Sequence, residues 1–387
     1  MKVDLITPVD IRYSYRGTEE HVYQYAKYIY EKGADARVLV PTYTNRAFVE
    51  RQDYDSVRSI FEKVPQKTIK GRILHLPFNY KLYVYGGLPN DSIIYFAYSV
   101  YDHIFNIMTK PKGQKYVIAA HGMHLKNGHI IKNHKVIEGI FNYFIRFVLS
   151  RRDIAENVYH HVITNEEAMY LAALGVRKDR IMHVPIFVDT SAFVLGTNHA
   201  ERLKVIHIGG SDKGVKVVVS IIKKLREMRT EDYFEFYFIG ADQPEELLEL
   251  AKHDDRLHCI GAVSDSRKSE ILSAMDVMVM PATEIFPRSM LEGLSCGLYI
   301  ITSGLNQAAE EVKELGAYVR VVESENAEGY VESLERVLKL KSDMVKFNDG
   351  KQNNRRVVAE NFDKNIVLKR MYQMFETVDN ASTDHID

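Results

Sequence analysis

The chain has 387 residues, 46% of them hydrophobic and 27% charged, with a formal net charge of −1 at pH 7. This length exceeds one ordinary domain and suits two, and the composition excludes a chain that is disordered throughout. Only two cysteines occur, Cys259 and Cys296, and they lack the spacing of metal ligands. Neither a disulfide scaffold nor a zinc site is therefore expected.

The N-terminal residues predict a short strand and no signal peptide, and no apolar run approaches the length that spans a membrane. These features indicate a cytoplasmic protein, either free or at the inner membrane surface.

Strand-like and helix-like segments alternate along the first half of the chain. An apolar strand ending at Pro8 precedes a helix over 18–32, which Gly33 ends. The remaining segments are predicted strands over 36–41, 72–77, 115–122, 160–165 and 180–185, and predicted helices over 91–108, 136–150 and 166–174. This alternation is typical of a parallel sheet with helices on both faces.

A domain boundary is predicted over 184–200, where periodicity is absent. The alternation then restarts with a helix over 215–229 and strands over 203–210, 234–240, 257–261, 276–281 and 298–303. A tail helix is predicted over Arg355–Glu376, followed by a frayed end. The fold class is therefore α/β with two doubly wound domains, whose ligands bind beyond the carboxyl ends of the strands.

The most informative stretch is DVMVMPATEIFPRSMLEGLSCGLYIITS, residues 276–303. A buried strand ends at Pro281, a loop contains Glu284, and a helix begins near Pro287, a residue suited to a first helical turn. Glu292 lies on that helix, eight residues after Glu284. Free N–H groups at the helix start favour anions and hydroxyls, and the carboxylates suit sugar or ribose hydroxyls.

This stretch resembles the signature of the retaining glycosyltransferases of the GT-B fold, family four. The shared features are two glutamates separated by seven residues after an apolar strand and a proline, then a small-residue helix and Cys-Gly before another strand. The resemblance covers nearly the whole chain. It implies two Rossmann-like domains with parallel sheets facing across a cleft, and a C-terminal helix crossing back to the first domain.

The resemblance also implies which part of the chain has which role. Residues 1–190 are the acceptor-side domain, 191–352 bind the nucleotide-sugar donor, and 353–387 form the crossing helix and tail. By the same resemblance, Glu284 lies near the donor sugar and its leaving phosphate, and Glu292 binds the ribose hydroxyls. Pairs of glutamates at this spacing also occur on solvated helix faces.

Further site residues follow from the resemblance in the first domain. Gly17 matches a glycine-rich loop in which the backbone approaches the donor phosphates, because glycine has no side chain to block them. His121 directly follows a strand, where the family often has a histidine facing the donor sugar. The alternatives are an ordinary turn glycine and a histidine satisfied within the protein.

In the second domain, GGSDKG resembles the loop in which the family uses a lysine as a cation for the diphosphate. Lys213 matches that lysine, and Gly209 and Gly210 belong to the same loop. Ile260 lies in the region that touches the nucleobase. The remaining candidate donor-binding residues are Phe286, Arg288 and Ser289, near the start of the predicted helix that contains Glu292.

Three positions depart from the family pattern. Gly210 stands where the family usually has an arginine that partners the lysine on the diphosphate. Pro287 replaces a glycine and offers no N–H, and 186–187 replace an Asn-Gly pair at the hinge. Losing one of two cations removes a few kcal/mol of charge stabilisation in a closed site. Arg288 or Arg16 can replace that cation, unless both are solvated.

The reaction implied by the resemblance is retaining transfer of a glycosyl group from a nucleotide diphosphate sugar to an acceptor hydroxyl. Lys213, loop N–H groups and a helix N-terminus would stabilise the leaving diphosphate, with no cofactor and no essential metal, since no Asp-x-Asp pair follows a strand. Glu284 would act as an electrostatic and positioning group. Closure of the two domains would exclude water.

Other interpretations stay open. The departures at Gly210 and Pro287 favour a relative that binds a nucleotide sugar, or a catalytic partner, without turnover. An epimerase or phosphorylase on the same fold has no motif in its favour, and an NAD enzyme lacks its glycine fingerprint.

The acceptor is unknown: a glycan, a lipid-linked molecule or a small molecule. Helix 138–152, aromatic on one side and basic at its end, is typical of a core helix, and also of one that lies on a membrane. A peripheral membrane contact is thus one interpretation, and no nucleic-acid partner is expected.

Overall fold

A computed structural model of the chain describes residues 1–7, 17–41, 65–69, 71–76, 79–84, 91–97, 113–119, 147, 156–196, 201–210, 213–282, 284–323 and 326–381. The chain divides into two compact units. Met1–Pro185 and Val367–Asp387 form the first unit, and Ile186–Ile366 form the second. The corresponding boundaries predicted from the sequence fall after residues 190 and 352.

The described strands of the first unit are β1 (Lys2–Ile6), β2 (Asp35–Pro41), β3 (Gln66–Ile69), β4 (Gly71–Leu76), β5 (Asn79–Val84), β6 (Ile93–Phe96), β7 (Tyr116–Ala119), β8 (Val158–Val162) and β9 (Ile181–His183). Its described helices are α1 (Gly17–Glu31) and α2 (Asn165–Ala173), with a 3₁₀ turn at Lys178–Arg180. Seven of these strands form one sheet in the order β3-β2-β1-β6-β7-β8-β9.

All neighbours in this sheet are parallel. The chain moves outward from β1 to β3 on one side and from β6 to β9 on the other, which is the Rossmann order. Strands β4 and β5 form a separate antiparallel pair. The predicted strand over 72–77 therefore exists, but it lies outside the parallel sheet.

The second unit contains strands β10 (Leu203–Ile208), β11 (Phe234–Ile239), β12 (Leu257–Gly261), β13 (Val277–Met280), β14 (Tyr299–Ser303) and β15 (Val319–Val322). Its helices are α3 (Val215–Met228), α4 (Glu245–Lys252), α5 (Asp265–Ser273), α6 (Arg288–Ser295), α7 (Ala308–Glu314), α8 (Ala327–Lys341) and α9 (Met344–Asn361), with a 3₁₀ turn at Glu231–Tyr233. Helix α10 (Lys364–Asn380) follows and ends within the first unit.

The second sheet has six parallel strands in the order β12-β11-β10-β13-β14-β15. This is again the Rossmann order. The central strand β13 is apolar and buried at every position, as expected for a parallel sheet covered on both faces. One face of the sheet packs on α3, where Val218, Ile221, Ile222 and Leu225 are buried. The predicted fold class, two Rossmann-like α/β domains, is confirmed.

Helix α10 packs within the first unit. Its buried side chains recur at helical spacing, and among them the Phe375 ring lies 5.8 Å from the Tyr95 ring on β6. The Lys115 ammonium donates a hydrogen bond of 2.7 Å to the Asp379 carbonyl, and the Met1 amino group lies 3.7 Å from the Asp379 carboxylate. The predicted return of the C-terminal helix to the first domain is thus confirmed.

The tail is not the single helix predicted over Arg355–Glu376. The backbone of Val188 interrupts it: the Val188 N–H donates to Phe362 O (3.0 Å), and the Lys364 N–H donates to Val188 O (2.9 Å). Backbone groups used in this way cannot take part in a helix, so α9 ends at Asn361 and α10 begins at Lys364.

The predicted helix over 91–108 is wrong at its beginning. Ile93–Phe96 form β6, which pairs with β1 and β7 at the centre of the first sheet. A short apolar run such as Ile-Ile-Tyr-Phe fits a buried helix and a buried strand equally well, so its partners decide. Residues 98–108, the predicted helix over 136–150 apart from Phe147, and the end of the tail lie outside the described residues.

Within the described residues, none of the helices is both long enough and apolar enough to cross a bilayer.

A buried histidine on β8 makes the stability of the fold depend on pH. The His160 side chain is 1% exposed, and burial lowers its pKa from 6.5 to about 4. The unfolded chain therefore takes up this proton at a higher pH than the folded chain does. The contribution of neutral His160 is complete above pH 6.5 and is lost as the pH falls toward 4, by about 3 kcal/mol in total.

We therefore expect urea unfolding at pH 7.5, 6 and 5 to show a shallower pH dependence for His160→Gln than for the wild type. His253→Gln, at an exposed position, is the control and should keep the wild-type slope. Equal slopes for wild type and His160→Gln would show that His160 is protonated equally in both states.

Candidate active site

The candidate site lies where the strand order of the second sheet reverses, between β10 and β13. Strand β10 pairs with β11 on one side and with β13 on the other. The chain continues from β10 to α3 and from β13 to α6. The loops that follow these two strands therefore diverge at the carboxyl end of the sheet. This is the switch point at which doubly wound sheets bind their ligands. The two loops, 209–214 and 281–287, contain five of the predicted site residues: Gly209, Gly210, Lys213, Glu284 and Phe286.

The loop after β10 folds back tightly on itself. Gly209 has a φ of +143°, and a Cβ at this position would lie 2.3 Å from the Lys213 Cβ. Any other residue would clash there, so glycine is required. The Lys213 N–H donates to Gly210 O at 3.0 Å, which closes the turn. Lys213 is thereby held directly against the backbone that ends β10.

Lys213 meets Glu284 across the switch point. Its ammonium donates a hydrogen bond to Glu284 Oε1, although the two residues are far apart in the sequence. The side chains are 41% and 20% exposed, so both reach solvent. The Glu284 loop, residues 281–287, is anchored to the start of α7, because the Glu284 and Ile285 carbonyls accept hydrogen bonds from that segment. An exposed pair of this kind adds little stability, so both charges are available to a ligand.

Glu292 lies in a different environment. Its side chain is 1% exposed, and the Lys268 ammonium lies 3.0 Å from both of its carboxylate oxygens. Arg288, one turn earlier on α6, places Nε 3.1 Å from Glu292 Oε1. Lys268 also lies 2.8 Å from Asp265. Burial lowers the pKa of the Lys268 ammonium, but the carboxylates of Glu292 and Asp265 outweigh that effect and the pKa is raised.

Lys268 was not predicted from the sequence. It lies on α5, 24 residues before Glu292, and nothing in its local pattern distinguishes it from a solvated helix lysine. Only the packing of α5 beside α6 brings it to the glutamate. Arg288, proposed as a replacement cation for the diphosphate, pairs with Glu292 and lies 3.9 Å from Asp265. Arg16 lies outside the described residues.

The other predicted site residues are dispersed. The Phe286 ring packs edge-to-face on Phe362 at 5.5 Å and is 7% exposed, while Ser289 lies in the first turn of α6. Ile260, on β12, is 36% exposed. Gly17 begins α1 in the first unit, and His121 lies outside the described residues.

A buried histidine on β10 lies beneath the loop that follows this strand. His207 is 2% exposed and its Nδ1 lies 3.0 Å from Val279 O, which fixes Nδ1 as the protonated nitrogen because a carbonyl only accepts. Burial lowers its pKa to about 4, so the ring is neutral near pH 7. In the sequence, nothing distinguishes His207 from the other residues of its strand.

Among the described residues, no three His, Cys, Asp or Glu side chains converge as metal ligands.

Comparison with protein families gives one match in the second unit. Residues 202–340 match the model of glycosyl transferases group 1. These residues form a group 1 glycosyltransferase domain. The predicted enzyme class, glycosyltransferase, is thereby confirmed. A search of curated proteins finds no match.

Solved structures resemble the whole chain at low sequence identity. HepE from Anabaena, in complex with UDP and glucose, has a TM-score of 0.64 and 13% identity over 98% of this chain and all of that one. A glycosyltransferase from Rickettsia africae has a TM-score of 0.66 and 15% identity, covering 98% and 99%. Sucrose-phosphate synthase from Thermosynechococcus elongatus has a TM-score of 0.69 and 15% identity, covering 98% and 100%. At these identities the likeness establishes the fold, that of the GT-B glycosyltransferases.

Proposed function

We propose that the chain is a retaining glycosyltransferase of family four that moves a sugar from a nucleotide diphosphate sugar to an acceptor hydroxyl. The observation behind this proposal is the Lys213–Glu284 ion pair at the switch point of the group 1 domain. A cation and a carboxylate, both reachable from solvent, suit a ligand that is anionic at one end and rich in hydroxyls at the other. HepE binds UDP and UDP-glucose, which supports a donor of this class.

In the proposed reaction, the bond between the anomeric carbon and the diphosphate oxygen breaks, and its electron pair stays on the leaving phosphate. The acceptor oxygen forms the new bond on the same face of the sugar, and its proton passes to a phosphate oxygen. Lys213 stabilises the charge that develops on the leaving group. It can do so without a metal ion, because its ammonium is already held at the site.

Glu284 acts on the sugar side of the same site. Its carboxylate faces Lys213 and would stabilise positive charge at the anomeric carbon and position the sugar hydroxyls. It is not a general base in this proposal, because the leaving phosphate takes the proton.

Glu292 would accept hydrogen bonds from the ribose hydroxyls of the donor. Lys268 and Arg288 balance the charge of its carboxylate, so that it is tolerated in a buried position. The acceptor, and a location in the cytoplasm or at the inner membrane surface, remain predictions from the sequence.

A substitution at Glu292 tests the ribose assignment. Glu292→Gln keeps the shape but removes the charge, so the contribution of a hydrogen bond to ribose falls from about 1.5–3 kcal/mol to the roughly 0.5–1.5 kcal/mol of a neutral bond. We expect the affinity for the preferred nucleoside diphosphate to fall about tenfold in calorimetric titration, and the affinity for inorganic pyrophosphate to stay unchanged. Glu270→Gln, at an exposed site on α5, is the control. An unchanged nucleoside diphosphate affinity would refute the ribose contact.

The function itself is tested with a thermal-shift panel of UDP-, GDP-, ADP- and dTDP-sugars, followed by donor hydrolysis with the best binder. A ligand that binds the folded state raises the melting temperature by mass action. Stabilisation by one donor with slow hydrolysis supports the transferase. Stabilisation without hydrolysis or transfer supports the non-catalytic relative, which Gly210 and Pro287 favour. No stabilisation by any donor overturns the proposal.

A further inference from the structure

The first peptide of the loop after β10 is held by a side chain from the neighbouring loop. Gln243, between β11 and α4, donates from Nε2 to Gly209 O at 3.1 Å and to Gly240 O at 3.2 Å. Both partners are carbonyls, which only accept, so the amide nitrogen must face them. Within the described part of the chain, the buried Gln243 Oε1 has no hydrogen-bond partner. Within the described residues, the Gln243 side chain therefore hydrogen-bonds only to these two backbone carbonyls.

The Gly209 carbonyl also lies close to the end of β11. Gly240 has a φ of +152°, and a Cβ there would lie 2.6 Å from Gly209 O. The Gly209 N–H donates to Ile239 O at 2.8 Å. The Gly209 carbonyl is therefore fixed on the side of β10 that faces β11.

This arrangement determines the direction of the next N–H group. In a trans peptide the C=O and the N–H point in opposite directions, and the described chain has no cis peptide. Since Gly209 O faces β11, the N–H of Gly210 in the same peptide is directed away from β11. In the sheet order β11-β10-β13, that is the side of the Glu284 loop. Among the described residues it donates to no other backbone group, and Gly210 is partly exposed.

We propose that Gln243 is a positioning residue that holds the Gly209–Gly210 peptide so that the Gly210 N–H donates a hydrogen bond to a diphosphate oxygen beside Lys213. This inference rests on the proposed function. It deepens that function by naming a second group for the leaving diphosphate, at the position where the sequence lacks a second cation. A glycine at 210 lets the phosphate approach the backbone, and a preorganised N–H in a shielded site stabilises developing negative charge.

The test compares Gln243→Met, which keeps the side-chain length but removes both donors, with the wild type and with Glu245→Gln, a change at a nearby exposed position. Each protein is titrated calorimetrically with UDP, GDP, ADP and dTDP and with the corresponding nucleosides. In parallel, the ¹⁵N–¹H signal of the Gly210 amide is followed during titration with the best nucleoside diphosphate.

We expect Gln243→Met to bind the preferred nucleoside diphosphate about tenfold more weakly, the scale of one charge-assisted hydrogen bond. Its nucleoside affinity should stay unchanged, and Glu245→Gln should behave as the wild type. In the wild type the Gly210 amide proton should move downfield on binding. This second measurement stands even where the variant fails to fold.

Each other outcome overturns the inference. Equal losses for diphosphate and nucleoside would mean that Gln243 only supports the fold, and unchanged binding or an unmoved Gly210 amide would mean that the peptide does not contact the ligand. If the wild type binds none of the four nucleoside diphosphates, the proposed function fails as well. Binding by the wild type with no effect of Gln243→Met removes this inference alone.

Discussion

Lys213→Met should lower the affinity for the preferred nucleoside diphosphate between about tenfold and a hundredfold, the range for one charge-assisted hydrogen bond. Methionine retains the apolar stem that lies against Gly209 and removes only the ammonium. Nucleoside affinity should be unchanged, because the nucleoside carries no phosphate. Calorimetric titration with the diphosphate and the nucleoside measures both quantities.

Lys216→Met is the matched control for Lys213→Met. Lys216 is exposed on the first turn of α3, three residues away, so this variant removes the same charge from the same region without touching the ion pair with Glu284. It should lower the affinity less than twofold at physiological salt, where exposed charges are screened. Equal effects of the two variants would show that Lys213 contributes only to the general field of the domain.

Asp276→Ala should lower the free energy of unfolding of the second unit by about 3–5 kcal/mol, the usual cost of removing one partner of a buried ion pair. Asp276 directly precedes β13 and is fully buried. Its carboxylate lies 2.8 Å from the Lys341 ammonium and 3.9 Å from that of Lys351, and it accepts the Lys204 N–H at 3.0 Å. Burial lowers the pKa of Lys351. The alanine variant therefore leaves two buried lysines without their carboxylate.

Urea unfolding followed by circular dichroism measures this loss. The control is Asp255→Ala, because Asp255 is exposed near the same end of the sheet, and it should change the free energy by less than about 0.5 kcal/mol. A loss below about 1 kcal/mol for Asp276→Ala would mean that water or a rearranged side chain takes the place of the carboxylate.

The sequence determined those features that depend on neighbouring residues. Apolar runs bounded by glycine and proline indicated β10, β11, β13 and β14, and glycines marked the turn that presents Lys213. The spacing of Glu284 and Glu292 follows from one strand, one loop and one helix that are contiguous in the chain. Such signals are readable because each residue lies within a few positions of those that shape it.

Tertiary structure decided the features that depend on distant partners. Ile93–Phe96 became a strand because β1 and β7 flank it, and the tail broke at Phe362 because Val188 takes its backbone hydrogen bonds. Lys268 reached Glu292 only because α5 packs beside α6, and Gln243 reached Gly209 only because the sheet order places the loops after β10 and β11 side by side. A lysine or a glutamine has the same local pattern in a solvated helix or loop. Its role depends on which distant carboxylate or carbonyl the fold brings within about 3 Å.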